Sequence, residues 1–244
     1  MTQTLRIAMW SGPRNISTAM LRAFGNRADT AVMDEPFYAH YLKATGLPHP
    51  GAGEVIAHHD SDWQSVLRSM LGPVPGGRRV SYQKHMTHHL LPGMARDWFP
   101  AMRHAFLIRR PQDVVRSYAR ERPDVNFADL GFAEQAALYE EVAAITGRRP
   151  PVLDADDVLA EPARLLAALC AALELPFDPA MLAWPAGPRK SDGVWGKHWY
   201  AGVWRSTGFQ PPALAGEPLP PPLAALAEQA MPHYRRLYDK RLRG

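Results

Sequence analysis

The beginning of the chain has the pattern of a strand, a tight loop and a helix. An alternating apolar run ends at Met9, and a helical pattern of apolar residues ends at Gly25. Backbone N–H groups at the start of a helix point outward without intrahelical partners, so this unit can hold a phosphate or a sulfate. The sequence therefore predicts an anionic ligand at the loop between the strand and the helix.

Seven consecutive residues form this loop and the start of the helix, and all are candidate ligand contacts: Gly12, Pro13, Arg14, Asn15, Ile16, Ser17 and Thr18. Arg14 offers a guanidinium, and two hydroxyls follow it. A Walker A loop requires a lysine directly before its Ser or Thr, but Ile16 stands before Ser17. An ordinary magnesium-nucleotide site is therefore disfavoured.

Four further apolar runs alternate with helical patterns along the chain, at residues 30–33, 80–83, 104–108 and 151–153. Strands that alternate with helices predict an α/β fold, a parallel sheet with helices on both faces. At 244 residues and 46% hydrophobic content, the chain suits one core, and we expect a single domain over residues 1–244. Residues 44–60 lack periodicity and are predicted to be an irregular excursion beside the acceptor.

The charge, cysteine content and apolar runs of the chain limit the class of ligand and the cellular environment that we expect. The net charge is +4, but 28 basic residues are scattered among 24 acids, which suits a small anionic ligand better than a nucleic-acid groove. Cys170 is the only cysteine, which excludes an intrachain disulfide. No apolar run approaches the ~20 residues that span a bilayer, and the N-terminus lacks a signal-peptide pattern. We expect a cytoplasmic protein, with its oligomeric state left open.

Candidate catalytic groups follow the second and third strands. Asp34 and Glu35 come directly after the second strand, and Lys84 and His85 come directly after the third. Ligands bind at the carboxyl ends of parallel strands. A base that takes a proton from an acceptor must lie within hydrogen-bond reach of it. Glu35 is the first candidate for that base, and His85, or else His88, is the second.

The histidines also raise the question of a metal. On a helix, His85 and His89 would form an i, i+4 pair of the kind found in zinc sites. No Glu stands beside them in the order His-Glu-x-x-His, and Cys170 is distant in the sequence. We therefore expect no metal site.

The loop resembles the 5′-phosphosulfate-binding loop of the sulfotransferase family. Pro13-Arg14 and Ser17-Thr18 match that loop, whereas Asn15 and Ile16 differ, and Ile16 replaces a glycine. Asp34-Glu35-Pro36 resembles the Glu-Pro that follows the second strand of carbohydrate and bacterial sulfotransferases. In those enzymes the Glu is the proposed base, so the resemblance implies this role for Glu35.

Two later segments resemble the family's 3′-phosphate contacts. Arg109 leaves the fourth strand and Ser117 follows eight residues later, so both can converge on one phosphate. Arg189 and Lys190 begin a segment similar to the late Arg-Lys-Gly stretch of cytosolic sulfotransferases. The segment after Val152 resembles the stretch that follows the family's last strand.

Together these likenesses indicate a sulfotransferase with a P-loop NTPase-like fold that depends on 3′-phosphoadenosine 5′-phosphosulfate (PAPS). The resemblance implies transfer of a sulfuryl group from PAPS to a hydroxyl or amine of a small molecule, lipid or sugar, without a metal. Arg14 and Lys84 would stabilise charge on the phosphosulfate. Two alternatives stay open. One is a magnesium-dependent P-loop phosphotransferase or NTPase, with Thr30 to Glu35 as its Walker B strand, and the other is a non-catalytic nucleotide-binding domain.

Overall fold

The computed structural model describes residues 4–211 and 216–243. Its centre is a sheet of five parallel strands in the spatial order β2-β3-β1-β4-β5. In chain order the strands are β1 (Leu5–Ser11), β2 (Thr30–Asp34), β3 (Val80–Met86), β4 (Arg103–Ile108) and β5 (Val152–Asp154). The predicted α/β class and parallel sheet are confirmed.

Helices connect the strands and follow the last of them. Those of the described residues are α1 (Ser17–Gly25), α2 (Tyr38–Thr45), α3 (Ala52–His58), α4 (Trp63–Leu71), α5 (Pro111–Ala119), α6 (Phe127–Leu130), α7 (Phe132–Thr146), α8 (Ala155–Ala160), α9 (Pro162–Ala172), α10 (Gly196–Trp199), α11 (Ala201–Arg205) and α12 (Pro221–Tyr238). None of the helices within residues 4–211 and 216–243 has the length and apolar character needed to cross a bilayer.

The two faces of the sheet carry separate apolar cores, because side chains alternate along each strand. On β1, Ile7 and Met9 face a core formed with α1 and α9. Ala8 and Trp10 face the opposite core, which α4, α5, α7 and α12 complete. Helices therefore cover both faces, as the sequence predicts.

The structure corrects two local predictions. β3 continues to Met86, three residues beyond the predicted end at Gln83, so Lys84 and His85 lie on the strand and not after it. Residues 44–60 are not wholly irregular, since they contain the helix α3. That helix has seven residues and one buried apolar side chain, Val55, too few to produce a visible periodicity.

Candidate active site

The loop between β1 and α1 turns at Arg14, whose φ of 55° lies in the left-handed region. The next residue, Asn15, ties the turn to the sheet: its amide donates to the Leu107 carbonyl at 3.0 Å, and its Oδ1 accepts the Ile16 N–H at 2.8 Å. Ile16 itself has an ordinary φ of −83°. The left-handed conformation therefore falls two residues before the position where the family has glycine, and Ile16 is free of backbone strain.

A cavity of about 440 Å³ opens over this loop. Its walls bring together predicted residues from four strand ends and their following loops: Pro13, Arg14, Asn15, Ile16, Ser17, Thr18, Glu35, Lys84, Arg109 and Ser117. Gly12 lies behind them, where a Cβ would stand 3.2 Å from the Leu130 carbonyl oxygen. A side chain at this position would therefore require the Leu130 carbonyl to shift by a few tenths of an ångström.

Two arginines give the cavity its positive side. The Arg14 Nε donates to the Ser117 Oγ at 3.0 Å, and the Arg109 Nη1 donates to the Arg14 carbonyl at 2.8 Å. Burial lowers the pKa of the Arg14 guanidinium. Within the described part of the chain, no carboxylate pairs with either arginine, and the buried Arg109 Nε has no hydrogen-bond partner. Two half-buried cations without a carboxylate partner among the described residues favour an anionic ligand here.

Lys84 stands at the centre of a buried polar network. Its Nζ donates to Asp34 Oδ1 at 3.0 Å, to Glu35 Oε1 at 2.6 Å and to the Tyr200 hydroxyl at 2.7 Å. Burial alone would lower the pKa of Lys84, but the Asp34 and Glu35 carboxylates raise it overall, so the ammonium keeps its charge. Tyr200 donates in turn to Asp34 Oδ2 at 2.7 Å and accepts from the Trp195 indole at 2.9 Å.

Glu35 is the carboxylate of this network that reaches the cavity. Its backbone adopts a φ of 41°, which turns the side chain from the end of β2 toward Lys84. Burial raises the pKa of Glu35, and Lys84 partly offsets this effect. The Glu35 Oε2 lies 3.9 Å from the Nδ1 of His89, whose ring stacks between Tyr38 and Tyr41. A carboxylate with a raised pKa in a cleft has the character of a general base.

His85 is not part of the site. Residues 84 and 85 are neighbours on β3, so Lys84 points to the cavity and His85 points to the opposite face. The His85 ring packs 4.5 Å from the Trp10 ring and is 1% exposed. Burial lowers its pKa to about 3. The structure therefore corrects the prediction of His85 as a candidate base, and His88 and His89 are the neighbouring histidines that line the cavity.

Arg189 and Lys190 also lie away from the cavity. A Cβ at Gly25 would stand 3.6 Å from the Arg189 Nη1, which places this side chain at the end of α1, about 12 Å along the helix from Ser17. Lys190 is exposed. Their segment is fixed by Asp192, which makes a bidentate pair with Arg22 at 2.6 and 2.7 Å. Neither Arg189 nor Lys190, the residues predicted to contact the 3′-phosphate, lines the cavity.

The segment from Trp199 to Pro211 forms one wall of the cavity, and this was not predicted from the sequence. Its cavity-lining members are Trp199, Tyr200, Gly202, Val203, Ser206, Gly208, Phe209, Gln210 and Pro211. The segment is held by pairing of Gly208 with Ala183 and by edge-on packing of Phe209 on Trp184 at 5.1 Å. The five aromatic residues between 195 and 209 were the available signal.

The aromatic residues between residues 37 and 63 divide between the cavity and the core. Tyr38 lines the cavity, and its hydroxyl contacts His49 Nδ1 at 2.9 Å. Phe37 and Trp63 pack into the core that also contains Trp98. Tyr41 stacks behind His89. Next to Glu35, the cavity is lined by the Tyr38 ring, by the imidazoles of His49, His88 and His89, and by the charged Lys84.

Neither metal arrangement considered from sequence is present. Thr87–His89 form one 3₁₀ turn after β3, so His85 and His89 do not share a helix face. Asp34, the aspartate of the Walker B alternative, has a side chain that is 1% exposed and bonded to Lys84 and Tyr200. Among residues 4–211 and 216–243, no three His, Cys, Asp or Glu side chains are grouped so as to hold a metal ion.

Comparison with known proteins decides the family. The sequence profile of the Sulfotransferase domain matches residues 5–241. The chain belongs to the sulfotransferase family. Solved structures of family members share its fold: a sulfotransferase from Alicyclobacillus acidocaldarius (TM-score 0.60, 15% identity, 96% of this chain and 94% of that one) and the sulfotransferase domain of the curacin biosynthetic pathway (TM-score 0.54, 16% identity, 95% and 99%).

Curated sequence relatives include two Arabidopsis thaliana proteins, branched-chain-amino-acid aminotransferase-like proteins 1 and 2. They are 36% and 34% identical to this sulfotransferase-family chain over 231 residues, which is 95% of the chain. The chain spans 41% of the length of each relative.

Proposed function

We propose that this protein transfers a sulfuryl group from PAPS to a hydroxyl or amine of a small-molecule acceptor. The observation that carries the proposal is the cavity itself. It joins an anion-binding loop, two arginines without counter-charges and a lysine–carboxylate pair at the carboxyl edge of one parallel sheet. Ligands of open α/β sheets bind at this edge.

The donor would lie with its phosphosulfate on the loop. The N–H groups at the start of α1, with the Ser17 and Thr18 hydroxyls, suit the 5′-phosphosulfate, and no side-chain cap occupies them because Ile16 has no polar atom. Arg109 and Ser117, joined through Arg14, suit the 3′-phosphate. Arg189, whose side chain lies at the end of α1, and the exposed Lys190 do not line the cavity and are not proposed as contacts.

Sulfuryl transfer needs in-line placement and charge stabilisation more than covalent help, as phosphoryl transfer does. In the proposed step, the acceptor oxygen forms a bond to sulfur while its proton passes to the Glu35 carboxylate. The bond between sulfur and the bridging oxygen of the phosphosulfate breaks, and 3′-phosphoadenosine 5′-phosphate (PAP) leaves. Lys84 and Arg14 stabilise the negative charge that develops on the leaving oxygen.

The test is the release of PAP from PAPS in the presence of a panel of phenols, alcohols, sugars and amines. Glu35→Gln should lower turnover about 10²- to 10⁴-fold, because the base is lost, while PAP binding persists. Glu54→Gln is the matched control, since Glu54 is exposed and pairs with Lys197 outside the cavity. Equal turnover by the wild type and the Glu35→Gln variant would remove Glu35 from its role. Failure of the wild type to bind PAP would contradict the function itself.

A further inference from the structure

All three N–H bonds of the Lys84 ammonium are already used. A lysine has three donors, and here they meet Asp34, Glu35 and Tyr200 at 3.0, 2.6 and 2.7 Å. The Lys84 side chain is only 2% exposed. To donate to a bound anion, Lys84 must therefore release one of its three present partners.

Two of the three partners, Asp34 and Tyr200, are buried and hydrogen-bonded to other residues. The Asp34 side chain is 1% exposed and takes a second hydrogen bond from Tyr200 at 2.7 Å. Tyr200 is 4% exposed, and its hydroxyl also accepts from the Trp195 indole at 2.9 Å. Release of either partner would leave a buried polar atom unpaired, which is costly.

Glu35 is the partner that can be exchanged. Its side chain is the most exposed of the three at 11%, and it lines the cavity beside the loop. The N–H that Lys84 now gives to Glu35 is therefore the one that can turn to a ligand in the cavity. In addition, the unpartnered His89 Nδ1 lies 3.9 Å from Glu35 Oε2, so a second hydrogen-bonding group stands beside the carboxylate.

We propose that donor binding exchanges the Lys84–Glu35 bond for a bond from Lys84 to the donor's 5′-phosphate oxygen, while Tyr200 and Asp34 hold Lys84 in place. Tyr200 is thus a positioning residue for the transfer. In the free enzyme Lys84 is hydrogen-bonded to Glu35, and donor binding frees the Glu35 carboxylate to take the proton of the acceptor. The acceptor therefore binds productively only after the donor. This inference rests on the proposed function.

The direct test is a crystal structure of the protein with PAP, whose 5′-phosphate carries the leaving oxygen. We expect Lys84 Nζ more than about 3.5 Å from Glu35 Oε1, beyond hydrogen-bond distance, and still bonded to Tyr200 and Asp34. Bound PAP with the Lys84–Glu35 bond intact would overturn the exchange alone. Absence of PAP binding would instead reject the proposed function, so the two failures are distinguishable.

Tyr200→Phe tests the positioning role in solution. Tyr234→Phe is a matched control, because the Tyr234 hydroxyl donates to the buried Asp154 at 2.9 Å but makes no contact with Lys84. Tyr200→Phe loses the bonds of the hydroxyl to Asp34, Lys84 and Trp195, whereas Tyr234→Phe loses its bond to Asp154, so Tyr200→Phe should lose more thermal stability, and kcat is compared at a temperature where both variants are folded. Only Tyr200→Phe should lower kcat, by about 10- to 100-fold with a much smaller change in the KM for PAPS, because Lys84 is misplaced. Equal kcat values for the two variants would reject the role of Tyr200.

Discussion

Among single residues, Ile16 stands where the family's loop has a glycine, and the local backbone geometry accommodates it. Sulfotransferases resembling this chain have glycine at that position, which suggests a strained backbone. Here the left-handed residue is Arg14, and the Asn15 side chain supports the turn through Leu107. The turn is made by Arg14 and tied to the sheet by Asn15, so Ile16 keeps an ordinary φ of −83°.

This arrangement predicts the effect of restoring the glycine. Ile16→Gly should lower the free energy of unfolding by about 1–3 kcal/mol, since it removes a half-buried side chain and adds backbone freedom. PAP affinity should not improve. Urea denaturation and calorimetric titration with PAP measure the two quantities. A tighter PAP complex in the variant would mean that Ile16 obstructs the loop.

Lys84 and His85 show what sequence can and cannot assign at this level. The sequence predicted candidate groups at the end of β3, and Lys84 does line the cavity, but the end of the strand was predicted three residues early. Along a strand, neighbouring side chains point to opposite faces, so the boundary decides which of the two reaches the cavity. The pattern of apolar residues could not fix the end of β3, because Lys84 and His85 are both polar and both buried.

Among the structural elements, the segment from Arg189 to Pro211 was the least predictable from sequence. The five strands and the helix α4, whose apolar residues recur at helical spacing, follow from periodicity. The late segment has no periodicity, and its position depends on contacts with residues far away in the chain: Arg22 with Asp192, Glu54 with Lys197, and Asp34 with Tyr200. Its motif resemblance predicted Arg189 at the 3′-phosphate, whereas the residues of this segment that line the cavity lie between Trp199 and Pro211.

The Arg22–Asp192 pair should control how this segment covers the cavity. Both side chains are at most 5% exposed, so Asp192→Asn leaves the Arg22 cation buried without its counter-charge. We expect a loss of about 3–5 kcal/mol in unfolding free energy and weaker PAP binding. Replacing both partners, Arg22→Met with Asp192→Leu, should recover only part of the stability, because Asp192 also accepts from the Arg189 N–H and the Trp204 indole. A single variant as stable as the wild type would show that the pair does not anchor the segment.

Over the whole molecule, buried neutral histidines should make the fold sensitive to acid. Burial lowers the pKa of His85 to about 3, and that of His88 and His104 to about 4. The unfolded chain, with ordinary histidine pKa values near 6.5, therefore binds more protons between about pH 6.5 and pH 4. Stability is present above this window and falls as the pH drops through it.

Each such histidine contributes up to about 1.4 kcal/mol of unfolding free energy per pH unit. His85→Leu should reduce the pH slope by that amount, because the residue packs against Trp10 outside the cavity and titrates only in the unfolded chain. Urea denaturation at about pH 7, 6 and 5 measures the slope. An unchanged slope in the variant would mean that His85 is not held neutral by the fold.

Thermal unfolding tests most directly whether the cavity binds a 3′,5′-bisphosphorylated nucleotide. PAP should be compared with ATP plus Mg²⁺, with AMP and with sulfate. At about 100 times its Kd, a ligand adds about 2.7 kcal/mol of stability, which shifts the midpoint visibly. We predict stabilisation by PAP alone, lost in Arg109→Ala. Stabilisation by ATP plus Mg²⁺ in preference to PAP, or by none of the four, would contradict the account.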